Sequence, residues 1–350
     1  MPFTVTELEN IANATIDYHM KRGIVKSQTI QDKPLLAALM DKTSTFPNGK
    51  DYITARVKGQ YTTSIQGFEH DDAVTYANPA NIRTASFPWK LIHAGISFTM
   101  HELLKDGISI TDTATGSGEK RHSDREMQAL ANLLDDKIED MQEGTARGLN
   151  SMFWRDGTQD SKVVPGIRSF VLDDPTSATV VGGIDQSANT WWRNRASLAI
   201  ANTTAANAAD QNLVQKLQAE FRQLRRYGGR PSLFLCGSAF LEQFERELRA
   251  KGNFTLEGWA GKGRIDASVA DVQFKGVEVQ YDPTLDDLSL SKYGYVLDTK
   301  SIMPMVMQGE DMKKHSPARP ENKYVFYRAV TWVGGLVCNQ RNANGVYSIA

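Results

Sequence analysis

Ser123-Asp-Arg-Glu-Met-Gln-Ala-Leu-Ala-Asn-Leu-Leu-Asp-Asp-Lys-Ile-Glu-Asp-Met-Gln-Glu-Gly-Thr-Ala-Arg-Gly-Leu-Asn-Ser-Met-Phe-Trp154 is the stretch around which the chain is organised. It opens as a capping box: the Ser123 hydroxyl suits a backbone N–H three residues on, and Glu126 reaches back. Met127, Leu130, Leu134, Ile138, Met141, Leu149 and Met152 then recur at the spacing of one helical face. At 1.5 Å per residue such a helix spans roughly 45 Å, which makes it a spine. Asp156-Gly157 supplies the stop, since glycine takes the left-handed conformation of a helix end most readily. Gly144 and Gly148 lie inside it, each costing about 1 kcal/mol relative to alanine, and a bend is expected there.

The chain has 350 residues, room for about two domains. Its 40 basic and 41 acidic residues leave a net charge of −1, which excludes a protein whose business is to wrap nucleic acid tightly. Cys236 and Cys338 sit in apolar, strand-like surroundings and match no metal spacing, so a reducing compartment is expected. The first residues lack the basic and apolar regions of a signal peptide. No apolar run reaches the ~18 residues of a membrane span. A soluble chain made inside the cell, with no membrane partner, is the expectation.

Before the spine, residues 1–50 read as an arm. A first helix is expected from Thr6, again a capping box with Glu9, to Lys21-Arg22-Gly23, and a second from Pro34 to Asp41. Neither has enough apolar surface to fold alone, so the arm needs something to lie on. Over residues 51–100 the period changes to two. Ile53, Ala55 and Val57 alternate with polar residues, as do Phe87, Trp89 and Leu91. Between them lies the polar stretch Gly59 to Asn81, so the two strands read as a long hairpin projecting from the body. A two-stranded hairpin is marginal by itself in water, which points to another subunit as its cover. An ordinary edge hairpin on a sheet is the alternative.

Residues 101–159 hold the spine helix, and a second composition follows from 160 to 307. Val163-Val-Pro-Gly-Ile167 and Val180-Val-Gly-Gly-Ile-Asp185 read as short strands, Asp210 to Tyr227 as a helix with Leu213, Leu217, Phe221 and Leu224 on one face. Ser232-Leu-Phe-Leu-Cys236 reads as a buried strand, Leu241, Phe244 and Leu248 as a helix, and Val277, Val279 and Tyr281 as a further strand. This is an α/β domain. Residues 308–350 return to strands that are expected to pair beside the spine helix.

Catalytic patterns fail one by one. Cys236-Gly-Ser-Ala-Phe240 lacks the second glycine of a nucleophile elbow, and Ser238 reads as a helix cap. His19, His70, His93, His101, His122 and His315 form no pair with metal-binding helical spacing. Asp135, Asp136, Glu139 and Asp140 read as a solvated helix face, and Arg222, Arg225, Arg226 and Arg230 as cations at a helix C-terminus. Gly116 to Lys120 lacks phosphate-loop spacing, and Gly258 to Arg264 reads as a flexible loop. Trp191-Trp192 suits core or interface packing. No enzyme, cofactor or metal emerges.

The order of parts resembles the major capsid protein of tailed bacteriophages of the Hong Kong 97 type. Phe87-Pro-Trp-Lys-Leu-Ile-His-Ala-Gly-Ile-Ser-Phe-Thr-Met-His-Glu-Leu103 looks like the returning strand of that family's extended loop. Pro165-Gly-Ile167, Val181-Gly-Gly-Ile-Asp185 and Trp191-Trp-Arg193 are similar to the start of its axial domain. Tyr327-Arg-Ala-Val-Thr-Trp332 and Asn339-Gln-Arg-Asn-Ala-Asn344 look like its peripheral-domain end. The resemblance covers essentially the whole chain and implies an α+β fold: N-terminal arm, extended β-hairpin loop, peripheral domain with a long spine helix, and inserted α/β axial domain.

The resemblance further implies a non-enzymatic structural subunit without cofactors. Copies would form hexamers and pentamers of an icosahedral head, assembled in the bacterial cytoplasm and enclosing double-stranded DNA without reading its sequence. It implies a separate scaffolding protein, a portal and, in some heads, a decoration protein as partners. Phe68, Arg83, Trp89, Trp191 and Trp192 are the residues expected at subunit interfaces. Some relatives cross-link a loop lysine to a peripheral asparagine. Lys58 and Lys90, with Asn339, Asn342 and Asn344, are of the right types, although no spacing points to such a bond. An encapsulin-like cellular shell and an α/β enzyme are the alternatives.

Overall fold

The structure is a computed structural model that describes residues 3–4, 31–47, 49–61, 63, 65–76, 81–99, 101, 105, 110–111, 124–201, 212–250, 272–315 and 325–350. The expected Thr6–Gly23 helix, the capping Ser123, the Gly116–Lys120 stretch, His19, His122 and the Gly258–Arg264 stretch lie outside these residues. The chain divides into two units, one drawn from the described parts of Met1–Gln31, Leu91–Leu149 and Gly309–Val333, the other from Asp32–Lys90, Asn150–Gln308 and Gly334–Ala350.

In chain order the elements are α1 (Pro34–Met40), β1 (Ser44–Phe46), β2 (Tyr52–Lys58), β3 (Ile82–Pro88), β4 (Lys90–Thr99), α2 (Asp124–Trp154), β5 (Val180–Val181), β6 (Ile184–Asp185) and β7 (Arg195–Ile200). Then follow α3 (Leu213–Arg225), β8 (Leu233–Cys236), α4 (Ser238–Ala250), β9 (Gln273–Phe274), β10 (Val277–Tyr281) and α5 (Pro283–Asp287). The last strands are β11 (Tyr293–Leu297), β12 (Ile302–Met307), β13 (Lys313–His315), β14 (Val325–Cys338) and β15 (Gly345–Ile349).

The spine is α2, a single helix of 31 residues that runs unbroken through Gly144 and Gly148. In the first unit, Ile138, Met141 and Leu149 are buried at the expected helical spacing. Arg147 pairs with Glu143 one turn earlier at 2.6 Å, and Lys137 donates to the carbonyl of Ser97 on β4. Lys313–His315 pairs antiparallel with Ala329–Thr331 of β14.

The second unit is built on a six-stranded mixed sheet in the order β9-β10-β8-β11-β15-β7. Helix α3 lays Leu213, Leu217, Phe221 and Leu224 on one face of the sheet, beside Phe240 and Phe244 of α4. Alternate strand residues meet them, Phe234 and Cys236, Val277 and Val279, Tyr347 and Ile349. The last turn of the spine helix reaches the sheet through Trp154, whose ring lies 5.0 Å from that of Tyr295. All four residues of β8 are buried, because both of its faces are covered.

Side-chain caps set the helix ends. Asn212 accepts the N–H of Gln215 at the start of α3, and the buried Glu247 carboxylate accepts those of Leu213 and Val214. Ser238 is the first residue of α4 rather than its cap, and its N–H donates to the Asp286 carboxylate at 3.0 Å. Val163–Ile167, expected as a strand, is instead the turn that closes the spine helix. The Gly166 N–H donates to the Arg155 carbonyl, and a Cβ there would stand 2.3 to 2.5 Å from the carbonyl oxygens of Phe153, Met152 and Arg155. Gly345–Ile349, expected beside the spine helix, is paired antiparallel with β11 and parallel with β7 inside the six-stranded sheet. Five consecutive buried residues need cover on both faces and partners on both edges, and that is the place that provides them.

Candidate subunit-interaction site: the projecting hairpin

Seven residues of β2 pair antiparallel with seven of β3, from Tyr52 opposite Pro88 to Lys58 opposite Ile82. The alternation read from the sequence is real at this root: Ile53, Val57, Ala85 and Phe87 are buried. The Phe87 ring meets that of Phe170 edge-on at 5.5 Å. The Ser86 N–H donates to the carbonyl of Gly182, in the β5–β6 turn. Gly182 has φ +62°, and a Cβ there would press on Ala85 and Phe87 at 3.2 Å, so glycine is required for conformation and for space.

Further out, a Cβ on Gly59 would stand 2.9 Å from Cε2 of Trp191, which places the backbone of the loop directly on that indole ring. Trp89 donates from Nε1 to the Lys50 carbonyl at 3.0 Å and meets Phe46 edge-on. Lys90 donates to the carbonyl of Ser161. The hairpin therefore leaves the body from a defined seat.

Beyond Gly59 the burial ends. Tyr61, Ile65, Phe68, Val74 and Tyr76 all face solvent, Phe68 at 66% and Tyr76 at 92% exposure. The tip still has local order. The Glu69 N–H donates to Asp72, Asp72 donates back to the Glu69 carbonyl, and Gln66 accepts from the N–H of Thr75. Burying one such side chain stabilises by about 1.5–3 kcal/mol. Five of them on one projection form the kind of exposed apolar patch that marks an interaction surface.

The five residues singled out by sequence fall into two groups. Phe68 stands at the tip, and Arg83 is exposed on β3 opposite Val57. Trp89 and Trp191 are half-buried and seat the hairpin, Trp89 at its root and Trp191 under Gly59 at the outer end of the paired strands. Trp192 is 1% exposed within its own chain and donates from Nε1 to the Val181 carbonyl at 3.0 Å. The structure thus places Trp89 at the start of the paired strands, Trp191 beside Gly59 at their far end, and Phe68 in the loop beyond. Of the asparagines considered for a cross-link, Asn344 is fully buried. Its amide donates to Ser301 and the Gln340 carbonyl and its oxygen accepts the Asp298 N–H.

Sequence reading passed over Arg341. Its guanidinium is buried and donates to the carbonyls of Phe170 and Trp192 and to the side-chain oxygens of Gln186 and Asn194, at 2.7 to 3.1 Å. It also lies over the Trp192 ring, 5.7 Å from its centre. Every acceptor is neutral, and burial lowers its pKa to about 10. This cation pins the segment that seats the hairpin. Tyr61, Ile65 and Tyr76 were also passed over; large apolar residues inside an otherwise polar stretch were the available signal.

Among the described residues no group of His, Cys, Asp and Glu is placed to hold a metal ion, and no helix is long and apolar enough to cross a membrane. Tyr281 donates to Asp286 at 2.7 Å, a bond that, with burial second, pushes its phenol up to about 12.

No protein-family model matches the chain, and no curated protein matches it. Solved structures do. A chain of the cyanophage A-1(L) capsid asymmetric unit aligns with TM-score 0.63 at 14% identity, covering 93% of this chain and 94% of its own. The capsid of a native GTA particle aligns with TM-score 0.53 at 13% identity, covering 94% and 95%. The capsid of Myoviridae phage XM1 aligns with TM-score 0.53 at 11% identity, covering 93% and 95%. Over more than nine-tenths of its length, the chain has the α+β fold of these capsid chains.

Proposed function

We propose that the chain is the structural subunit of an icosahedral phage head. The observation that carries this reading is the alignment of 93% of the chain with a chain of a phage capsid. The exposed apolar tip supports it independently, since a surface of that kind is stabilised only when another chain covers it. Copies self-associate through the hairpin and close a shell, the location is the virion, and the role is architectural rather than catalytic. Hexamers and pentamers are the building blocks, double-stranded DNA is the contents, and a scaffolding protein, a portal and, on some heads, a decoration protein are the companions. A net charge of −1 suits a container that must release its DNA, because extensive phosphate contacts would hold it.

The test is expression of the full chain, with and without the scaffold of the same phage, followed by sedimentation and electron microscopy. Closed shells are the expected product. A chain that stays monomeric under every condition overturns the reading, and shells filled with a host enzyme would make it a cellular compartment instead.

A further inference from the structure

The apolar loop tip carries three carboxylates, Glu69, Asp71 and Asp72, all exposed. None makes an ion pair among the described residues, and Asp72 accepts only the N–H of Glu69. A second exposed patch has the opposite charge. Arg222, Arg225, Arg226 and Arg230 cluster at the C-terminal end of α3 around Tyr227, which is 64% exposed. Arg225 lies over Phe221 and donates to the Lys275 carbonyl, and Arg226 lies over the Tyr227 ring at 5.4 Å. No described carboxylate pairs with any of the four. The helix C-terminus favours cations, but four guanidinium groups within nine residues repel one another.

We propose that the loop tip of one copy docks on the arginine patch of a second copy. Phe68 and Tyr76 lie against Tyr227 and the flat faces of the guanidinium groups, and Glu69, Asp71 and Asp72 accept hydrogen bonds from them. Two features select a second copy over nucleic acid. The patch offers an exposed aromatic ring, which a phosphate backbone cannot use, and the chain itself supplies a surface that matches it in both charge and apolarity. The inference rests on the reading of the chain as a shell subunit and names the pairing through which neighbours recognise each other.

A charge swap tests it. Asp71→Lys with Asp72→Lys and, separately, Arg225→Glu with Arg226→Glu are each expected to lower shell yield by about tenfold or more, because like charges then face each other across the contact. The fourfold variant that carries both pairs is expected to recover most of the yield. All four positions are exposed, so thermal melts of the unassembled variants should match the parent. Recovery in the fourfold variant supports the pairing. Undiminished yield in either double variant, or no recovery in the fourfold one, overturns it while leaving the shell reading intact. Normal shells of the arginine variant that hold less DNA would assign the patch to nucleic acid, and a parent chain that forms no shells would fail the shell reading itself.

Discussion

Gly59 rests on the indole of Trp191, with room for no side chain between them. Each residue explains the other: the glycine lets the loop backbone come down onto the ring, and the ring gives an otherwise two-stranded projection a floor. Gly59→Val puts atoms into a 2.9 Å gap, and overpacking of this kind costs about 1–3 kcal/mol. The six-stranded sheet does not depend on that seat. The variant is expected to keep its circular dichroism spectrum and most of its thermal stability while shell yield falls. A melt that drops as far as that of a core variant such as Phe234→Ala would show that the seat belongs to the core instead.

Arg341 is a buried cation held entirely by neutral oxygens. Arg341→Ala leaves two carbonyls and two side-chain oxygens without their donor, and a loss of about 3–5 kcal/mol is expected. Arg341→Lys is expected to recover little, because a point ammonium cannot reproduce a planar fork with four acceptors. Urea denaturation of the unassembled chain reads both values. Arg341→Lys with parental stability would show that charge alone, rather than the fork, holds the site.

Cys236 and Cys338 are both free and buried, and burial pushes each thiol up from about 9 to about 12. The thiolate is the reactive form, so native protein is expected to resist iodoacetamide at pH 8 and to label at both sites in urea. The sign of the linkage follows. Above about pH 9 the unfolded chain gives up thiol protons that the folded chain keeps, so stability from these groups is complete below that pH and declines as the pH rises towards 12. Cys338→Ala should flatten this alkaline decline. Rapid native labelling at Cys338 would contradict the burial.

No described atom lies within 4 Å of a Cβ placed on Gly144 or Gly148. Close packing against the described residues therefore does not explain these glycines. Alanine at both is expected to stabilise the unassembled subunit by about 1 kcal/mol per site. If the glycines serve bending of the spine during assembly, the same variant should give fewer shells, or shells that change size less readily. Raised stability with unchanged assembly would remove any bending role.

Much of this was legible in the residues. The spine shows a long 3.6-residue period and a glycine stop at Gly157, which has φ +84° in the structure. The hairpin shows a two-residue period with Ile53, Val57 and Phe87 on the inner face. Such patterns are local, and local geometry enforces them. What depends on distant partners was not legible. Gly345–Ile349 announces itself as a buried strand, but five apolar residues do not say which strands flank them. Arg341 looks like any surface arginine until Gln186, Asn194 and two carbonyls converge on it from 147 to 171 residues away along the chain. The tip of the hairpin hid for the opposite reason, since Phe68 and Tyr76 stand exposed with no ring partner among the described residues.

The position of Gly345–Ile349 between β7 and β11 also sets a clock on the ribosome. Strand Arg195–Ile200 is made early and must wait for a parallel partner encoded about 150 residues later. At roughly 5–20 residues per second that delay is about 8–30 s. Throughout it the sheet has an open slot and β7 has no neighbour, so a nascent chain cannot present a finished subunit to copies already released. The hairpin, made before either of these strands, is present on the nascent chain throughout that delay.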